Sequence, residues 1–202
     1  NRTQGWEKDP SEYISVEGKK VIVLGGGDTA MDCNRTSIRQ GAEVVSCAYR
    51  RDEENMPGSR REVQNAKEEG VQFLFNALPK KALVDDEHRV IGLEILETYM
   101  DENKKLQTKP HSVKTIPADS IILALGFEAK HFSFYDELNL SVGRSNTLIV
   151  DENKETSHPF VFAGGDVVRG ANLVVNAALD GRNAAVAIAR KLGVVEDQKL
   201  YM

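Results

Sequence analysis

The sequence predicts an α/β fold in which a parallel sheet with flanking helices is combined with an antiparallel meander. Three observations carry this prediction. A short β-branched apolar run, Lys20–Leu24, is followed at once by glycines and then by a segment with helical periodicity. A second apolar run occupies 43–49 and completes a βαβ pattern. Strand-like stretches separated by polar turns then fill 81–116, which is the spacing of a meander.

The first βαβ unit spans about thirty residues, the usual length for such a unit. Its first strand, Lys20–Leu24, has the composition of a buried parallel strand. The helix is expected over 28–40 and is expected to stop at Gly41. Its inner face can be shared by Ala30, Met31, Cys33 and Ile38.

The elements that follow alternate between charged and apolar segments. A turn at 56–59 leads into a charged surface helix over 60–70, which glycine ends, and a third strand is expected over 71–75. Meander strands are expected at 81–84, 90–100 and 113–116, with polar turns at 85–87 and 101–103. Residues 119–125 then read as another apolar strand, which closes on Gly126.

The two ends of the chain are less regular. Residues 1–17 read as a connector, because Asp9-Pro10 is a turn signal. Residues 127–147 show no clear period, and short strands are expected at 148–150 and 160–162. An alanine-rich segment over 173–192 predicts a long helix.

Composition excludes several functional classes. Of 202 residues, 41% are hydrophobic and 28% are charged, as in ordinary globular domains, and the formal net charge is −5. There is therefore no global basic field that would attract nucleic acid or an anionic membrane. The longest apolar runs are far too short to span a bilayer. We expect neither nucleic acid nor a membrane as a partner.

Cysteines and histidines give no sign of a redox or metal centre. Cys33 and Cys47 form no CxxC motif, which argues against a dithiol centre or a cysteine-ligated cluster within this chain. Buried thiols in a reducing compartment are expected, so the cytoplasm is the expected location. The four histidines lack metal-ligand spacing and are expected to be structural or exposed; they are His88, His111, His131 and His158. No metal site and no catalytic acid, base or nucleophile is assigned.

The glycines after the first strand have the GxGxxA form of a dinucleotide-binding loop. Gly25 permits a tight turn, Gly27 lets the backbone approach a pyrophosphate, and Ala30 permits close packing of helix on strand. The helix start offers free N–H groups and partial positive charge to phosphates. The full candidate loop is Gly25, Gly26, Gly27, Asp28, Thr29 and Ala30. The alternatives are a plain glycine turn and, for Asp28 or Thr29, a role confined to capping the helix.

The end of the second strand favours NADPH over NADH. NAD sites place an acidic residue here, whereas NADP sites place arginine, which can bind the 2′-phosphate in bidentate fashion. This chain has Arg50 and Arg51 at that point, with Arg60 and Arg61 as further candidates across the turn. The alternative is a solvated charge cluster balanced by the acidic residues 52–54.

A second candidate site follows the predicted strand at 160–162, where two glycines deliver Asp166. A long helix begins a few residues later. By themselves, these residues are also compatible with a purely structural turn.

Three long motifs closely resemble the small (β) subunit family of glutamate synthase. They occupy 23–33, which includes the glycine loop, 35–42, and 49–62, which includes the arginines. The resemblance runs from about residue 12 to about residue 193. It implies a two-dinucleotide flavoprotein in which an NADPH domain is inserted between the halves of an FAD domain. Residues 18–126 would be the NADPH domain, and 127–202 the returning carboxy-terminal part of the FAD domain.

The resemblance also implies roles for residues of the second site. Asp166, after Gly165, would hydrogen-bond the ribitol chain of FAD. The helix after it, which begins near Asn172, Leu173 and Val174, would direct its N-terminus at the flavin or pyrophosphate. Gly126 lies where the family's return strand leaves the nucleotide site. The family's first FAD glycine loop and its iron–sulfur cysteines have no counterpart here, so the chain is expected to be a carboxy-terminal piece with an incomplete FAD site.

In the intact family, hydride passes from NADPH to FAD, and electrons reach a large subunit where glutamine and 2-oxoglutarate yield glutamate. The resemblance therefore implies the glutamate synthase large subunit, or another electron-acceptor subunit, as partner. Two alternatives stay open. The same module occurs in ferredoxin:NADP oxidoreductase and dihydropyrimidine dehydrogenase-like enzymes, and a non-catalytic nucleotide-binding or subunit-docking domain is also compatible with the motifs. The isolated piece is not expected to be active alone.

Overall fold

The computed structural model describes residues 14–143 and 145–194, so most of the predicted connector 1–17 lies outside the described residues. The chain divides into two compact units at the boundary between Gly126 and Phe127. The elements of the first unit are β1 (Lys20–Leu24), α1 (Asp28–Arg39), β2 (Val44–Ala48), α2 (Arg60–Glu68), β3 (Gln72–Leu74), β4 (Ala77–Val84), β5 (Val90–Met100), β6 (Leu106–Pro117) and β7 (Ser120–Leu123). Those of the second are α3 (Ser133–Glu137), α4 (Asp166–Arg169) and α5 (Val174–Lys191).

A four-stranded sheet with the order β3-β2-β1-β7 forms the centre of the first unit, and all of its pairs are parallel. β1 lies between β2 and β7, with Ile22 opposite Ser46 on one side and Ile121 on the other. A strand with neighbours on both sides is expected to be apolar throughout, and four of the five β1 residues are buried. The predicted α/β fold with a parallel sheet is confirmed.

The two faces of this sheet are covered by different partners. Val21 and Val23 face a cluster that includes Met31 of α1 and Val63 of α2. The alternate residues, which include Ile22, face a cluster built with the meander strands. The unit therefore has three layers: two helices, the parallel sheet and the meander, and the period-two alternation of β1 assigns its side chains to one face or the other.

Both helices of the unit end as the sequence predicts. Gly41 has a φ of +81°, and its N–H donates to Ile38 O while the next amide donates to Ser37 O. Gly70 ends α2 with the same pair of bonds. The inner face of α1 differs from the prediction, because the buried set includes the polar residues Asn34 and Ser37, while Cys33 and Ile38 are only partly buried.

The meander is the antiparallel sheet β4-β5-β6, and its strands are longer than the apolar patterns suggested. β4 begins at Ala77 and not at 81, and β6 runs over Leu106–Pro117 although only 113–116 was apolar enough to be predicted. β6 is an outer strand with mostly exposed side chains, so its polar residues carry no hydrophobic signal. Hydrogen bonding to β5 fixes its length instead.

The second unit has little sheet structure among its described residues. The strands predicted at 148–150 and 160–162 are present only as isolated bridges, such as Val142 with Leu148 and Glu155 with Phe162. The segment expected to be irregular, 127–147, contains the short helix α3, whose Tyr135 is buried with Leu140 and Leu148. The predicted long helix is α5. No helix in the described part of the chain is both long and apolar enough to cross a membrane.

Candidate nucleotide site

The three loop glycines have different structural reasons to be glycine. Gly25 has a φ of +143°, and a Cβ there would lie 2.2 Å from Ala124 O. A Cβ on Gly26 would lie 2.6 Å from the ring of Tyr49. A Cβ on Gly27 would meet no heavy atom within 4 Å. A side chain at either of the first two glycines would therefore force its neighbours to shift, whereas the third leaves open space beside the start of α1.

The start of α1 presents unpaired backbone donors. The N-cap position of α1 is Gly27, and the helix has no side-chain capping hydrogen bond. The alternative role of Asp28 or Thr29 as a helix cap is therefore not observed. Among the described residues, the amides of 26–29 have no hydrogen-bond partner. Four adjacent donors at the positive end of a helix dipole form a binding surface for an anion. Ala30 is fully buried against the sheet, as the third position of the motif requires.

Asp28 fastens a second segment onto the loop. Its Oδ1 accepts a hydrogen bond from Ser59 N at 2.8 Å, and Gly58 N donates to Gly26 O at 2.9 Å. A Cβ on Gly58 would lie 2.9 Å from Gly26 O, which explains the glycine in the predicted turn at 56–59. Ser59 in turn caps α2 by accepting from Glu62 N. The turn is thus bound to the glycine loop by backbone and side-chain contacts.

A cavity of about 600 Å³ opens at the carboxyl ends of the parallel strands. Such an edge is where open α/β sheets bind their ligands. Of the residues predicted for a nucleotide site, the cavity is lined by Gly25, Gly26, Gly27, Thr29, Arg50, Arg51 and Gly126. Lining residues that sequence reasoning missed include Tyr49, Asn55, Pro57, Leu78, Pro79 and Leu125. Leu78 and Pro79 belong to the meander, and no local motif connects them with the glycine loop.

The four candidate arginines fall into two groups. Arg50 and Arg51 line the cavity, and Nε of Arg51 is buried without a hydrogen-bond partner in the described structure. Arg60 and Arg61 do not line it. Arg60 instead reaches Glu54 O at 3.4 Å, and Arg61 is exposed. The structure therefore brings Arg50 and Arg51 to the glycine loop and leaves the other pair outside.

Cys47 lies beneath the loop, and its thiol is not in the reactive thiolate form. Burial raises the pKa of its thiol from 9.0 to about 11, so the thiol is protonated at neutral pH. Its Sγ donates to Gly25 O at 3.3 Å. Burial, followed by the charge of Asp32, also raises the pKa of Cys33. Neither thiol has the lowered pKa that marks a reactive cysteine.

The second predicted site is built on close packing between a glycine turn and α5. A Cβ on Gly164 would lie 2.6 Å from Cβ of Asp180, and Gly165 has a φ of +69°. Asp166 follows as an exposed residue at the start of α4. The side chain of Asn172 accepts a hydrogen bond from Asn176 Nδ2 at 2.7 Å.

A buried carboxylate that sequence reasoning missed holds this turn. Asp180 has no exposed surface, and its Oδ2 accepts from Gly165 N at 3.0 Å. Arg169 binds both of its oxygens, at 2.6 and 2.8 Å, and Lys154 Nζ lies 2.9 Å from Oδ1. The hydrogen bonds from Arg169, and then those from Lys154 and Gly165 N, hold the pKa of Asp180 far below its ordinary value. No spacing in the sequence connects these residues.

The start of α5 is exposed and apolar. Leu173 is the N-cap, and the amides of Val174 and Val175 have no partner in the described structure. The side chains of these three residues are 64–80% exposed. This surface combines free backbone donors with apolar side chains. The described residues contain no cluster of three or more histidine, cysteine or acidic side chains that could hold a metal ion.

Comparison with known proteins gives consistent matches. The small chain of NADPH glutamate synthase from Halomonas elongata is 45% identical over 96% of this chain, and that from Escherichia coli is 47% identical over 90%. A putative oxidoreductase of E. coli is 43% identical over 96%. This chain spans only 43%, 40% and 31% of these three proteins. The resemblance to the glutamate synthase small subunit is thereby confirmed.

A solved structure and a family model complete the comparison. The crystal structure of T. acidophilum thioredoxin reductase matches with a TM-score of 0.71 at 21% identity, over 87% of this chain and 53% of that one. It shows a shared fold. The family model described as pyridine nucleotide-disulphide oxidoreductase matches residues 1–181. Because this match covers most of the chain, the chain belongs to the pyridine nucleotide-disulphide oxidoreductase family.

Proposed function

We propose that the cavity of the first unit binds NADPH and that its pyrophosphate lies on the glycine loop. The observation that carries this proposal is the space at Gly27. A backbone without a Cβ faces an open volume, beside four unpaired amides at a helix start. Phosphate oxygens supply the acceptors that these amides lack, and the helix dipole favours the negative charge. A cavity of about 600 Å³ lies in the range of small-molecule and cofactor sites.

Arg50 and Arg51 bind the 2′-phosphate in this proposal. Both line the same cavity as the glycine loop, and the buried Nε of Arg51 is a donor without a partner in the described structure. A guanidinium fits a phosphate in bidentate geometry and with complementary charge. NADH lacks this phosphate and gains nothing from the arginines. Arg60 and Arg61 have no part in the proposed site, because they lie outside the cavity lining.

The second unit contributes one half of an FAD site in the same proposal. Asp166 offers an exposed carboxylate after the fixed Gly165 turn, and the start of α5 offers two free amides beside the exposed Leu173 and Val174. These groups fit a ligand that has both hydroxyl or phosphate groups and an apolar ring system. FAD supplies the hydride acceptor when bound; the chain's residues bind and orient the two cofactors.

The proposed physiological context is the synthesis of glutamate from glutamine and 2-oxoglutarate in the cytoplasm, with the large subunit of glutamate synthase as partner. The two relatives named as NADPH glutamate synthase small chains support it. A different electron acceptor is the second candidate, because a putative oxidoreductase of E. coli is 43% identical over nearly the same length. The nucleotide site is common to both candidates.

Calorimetric titration of the purified chain with NADPH and with NADH tests the core of the proposal. We expect NADPH to bind more tightly. Replacing Arg50 and Arg51 together by alanine is expected to weaken NADPH binding at least about tenfold, the scale of charge-assisted hydrogen bonds, and to leave NADH binding unchanged. Replacing Arg60 and Arg61 together by alanine is the matched control, since it removes the same charge outside the cavity.

Two outcomes would contradict the proposal in different ways. Equal affinities of the unaltered chain for NADPH and NADH would overturn the role of the two arginines. Failure to bind either nucleotide would overturn the nucleotide site as a whole and would favour a subunit-docking role.

A further inference from the structure

Three consecutive backbone carbonyls, those of residues 49–51, accept hydrogen bonds from the meander and from the residue just before it. Ala77 N donates to Tyr49 O at 2.9 Å, and Asn76 N donates to Arg51 O at 2.9 Å. Between them, the hydroxyl of Thr98 donates to Arg50 O at 2.6 Å. The first two bonds use backbone amides. The third is a side-chain bond across 48 residues of sequence.

Thr98 is buried at an irregularity in the pairing of β5 with β6. It is 2% exposed, and the irregularity lies between Leu96 and Thr98. Bulges of this kind redirect a side chain and are common beside functional sites. Thr98 N also donates to Asn76 O at 2.9 Å, while Asn76 has a left-handed φ of +56°. Thr98, Asn76 and the two arginine carbonyls thus form one hydrogen-bonded arrangement.

These bonds fix the arginine backbone and leave the side chains available. Among the described residues the guanidinium of Arg50 has no hydrogen bond or ion pair, and Nε of Arg51 is buried without a hydrogen-bond partner. A donor on a fixed backbone loses less conformational freedom on binding than one on a mobile loop. The meander and the residue before it therefore hold the backbone of two arginines that line the cavity.

We propose that Thr98 is a positioning residue that sets the preference of the site for NADPH over NADH. It acts through Arg50, whose carbonyl it holds, and the inference rests on the proposed binding of the 2′-phosphate by Arg50 and Arg51. Contacts of the pyrophosphate with the glycine loop do not involve Thr98. Loss of the hydroxyl therefore weakens binding of the nucleotide that carries the 2′-phosphate and spares the one that lacks it.

Thr98→Val tests the inference, because it removes the hydroxyl and keeps both the shape and the β-branching. We expect NADPH affinity, measured by calorimetry, to fall about fivefold, the effect of one typical hydrogen bond, with NADH affinity unchanged. Thr98→Ser is expected to restore the preference. Thr108→Val is the matched control: Thr108 is the exposed cross-strand partner of Thr98 on β6. Thermal melting of every variant reports its folding, and Thr98→Ala serves in place of valine if the latter does not fold.

The outcomes separate this inference from the function on which it rests. If the unaltered chain does not prefer NADPH, the 2′-phosphate role of the arginines is overturned. If the unaltered chain prefers NADPH and the valine or alanine variant keeps that preference, the role of Thr98 is overturned. An equal loss of affinity for both nucleotides also overturns it, since that result indicates general loosening of the site.

Discussion

Gly25 and Gly27 stand two residues apart in one loop, yet different constraints act on them. Gly25 adopts a backbone conformation that side chains rarely adopt and lies against Ala124 O. Gly27 has a φ of −89°, which any residue tolerates, and has open space where a Cβ would be. The first glycine therefore serves the fold, and the second serves the proposed ligand.

Alanine substitutions at these positions should separate folding from binding. Gly25→Ala is expected to lower the free energy of unfolding by roughly 1–3 kcal/mol from backbone strain alone, before the clash is counted. Gly27→Ala is expected to change that free energy by no more than about 0.5 kcal/mol. It should nevertheless weaken NADPH binding about tenfold, because the methyl group keeps the pyrophosphate from the backbone.

Urea denaturation and calorimetry on the two variants check this contrast. A stable Gly27→Ala variant with unchanged NADPH affinity would show that the phosphates do not approach the loop at this point. A fully stable Gly25→Ala variant would contradict the contact with Ala124.

Individual residues could be predicted from the sequence only where the residues that define their role lie nearby in the chain. The glycine loop and the Arg50-Arg51 pair were recognised because their meaning depends on neighbours within one βαβ unit. Capping of α1 was the alternative role for Asp28, but its carboxylate instead accepts a hydrogen bond from Ser59, 31 residues away. Thr98 carried no signal at all, since a threonine in a strand is ordinary and its partner lies 48 residues earlier.

At the scale of elements, α5 is joined to the glycine turn by the buried Asp180. Two cations and one backbone amide surround this carboxylate. Removing one member of a buried ionic group leaves the others without compensation, which is more damaging than replacing the whole group. The turn that presents Asp166 thus depends on a residue in the middle of a helix.

Asp180→Asn is expected to lower the melting temperature by at least about 5 °C at neutral pH. The pKa of Asp180 is depressed in the folded chain, so its stabilisation is complete above the unfolded value of 3.8. It is lost as the pH falls through the folded value. The difference between the two proteins should therefore stay constant from about pH 7 to pH 5 and narrow below about pH 4.

Melting curves recorded across this pH range provide the measurement, with Asp151→Asn as a control on an exposed turn of the same unit. A difference that already narrows between pH 7 and pH 5 would contradict the depressed pKa.

Elements with a strong apolar period were predicted well. Strands whose length is set by hydrogen bonding to a neighbouring strand were not. β1, α1 and α5 have apolar patterns that match their periods. β6 was predicted at a third of its length, because an exposed outer strand has no need of apolar residues. The expected strands at 148–150 and 160–162 are short apolar runs without a long partner, and bridges alone form there.

At the scale of the whole molecule, every residue that lines the cavity belongs to the first unit. Nucleotide binding is therefore expected to stabilise that unit directly. At a ligand concentration of about 100 times Kd, mass action adds about 2.7 kcal/mol to the free energy of unfolding of this unit. Hydrogen exchange should show slower exchange for amides of β1, α1 and β2 when NADPH is present.

Comparing exchange with and without NADPH, peptide by peptide, gives the check. A protection gain that is missing from the glycine loop and from β1 would place the nucleotide elsewhere. The same experiment with Arg50 and Arg51 replaced should show a smaller gain at equal NADPH concentration.

The pairing of β1 with β7 determines when the glycine loop can form. Lys20 N bonds the carboxylate of Asp119, 99 residues later, and the space around Gly25 is bounded by Ala124. During synthesis from the amino terminus, β1 and β2 emerge long before β7, so β1 exposes an unpaired edge while the meander is made. Contacts of such high sequence separation form slowly. Competence to bind a nucleotide is therefore acquired only after residue 124 has emerged from the ribosome, well after the glycine loop itself has been translated.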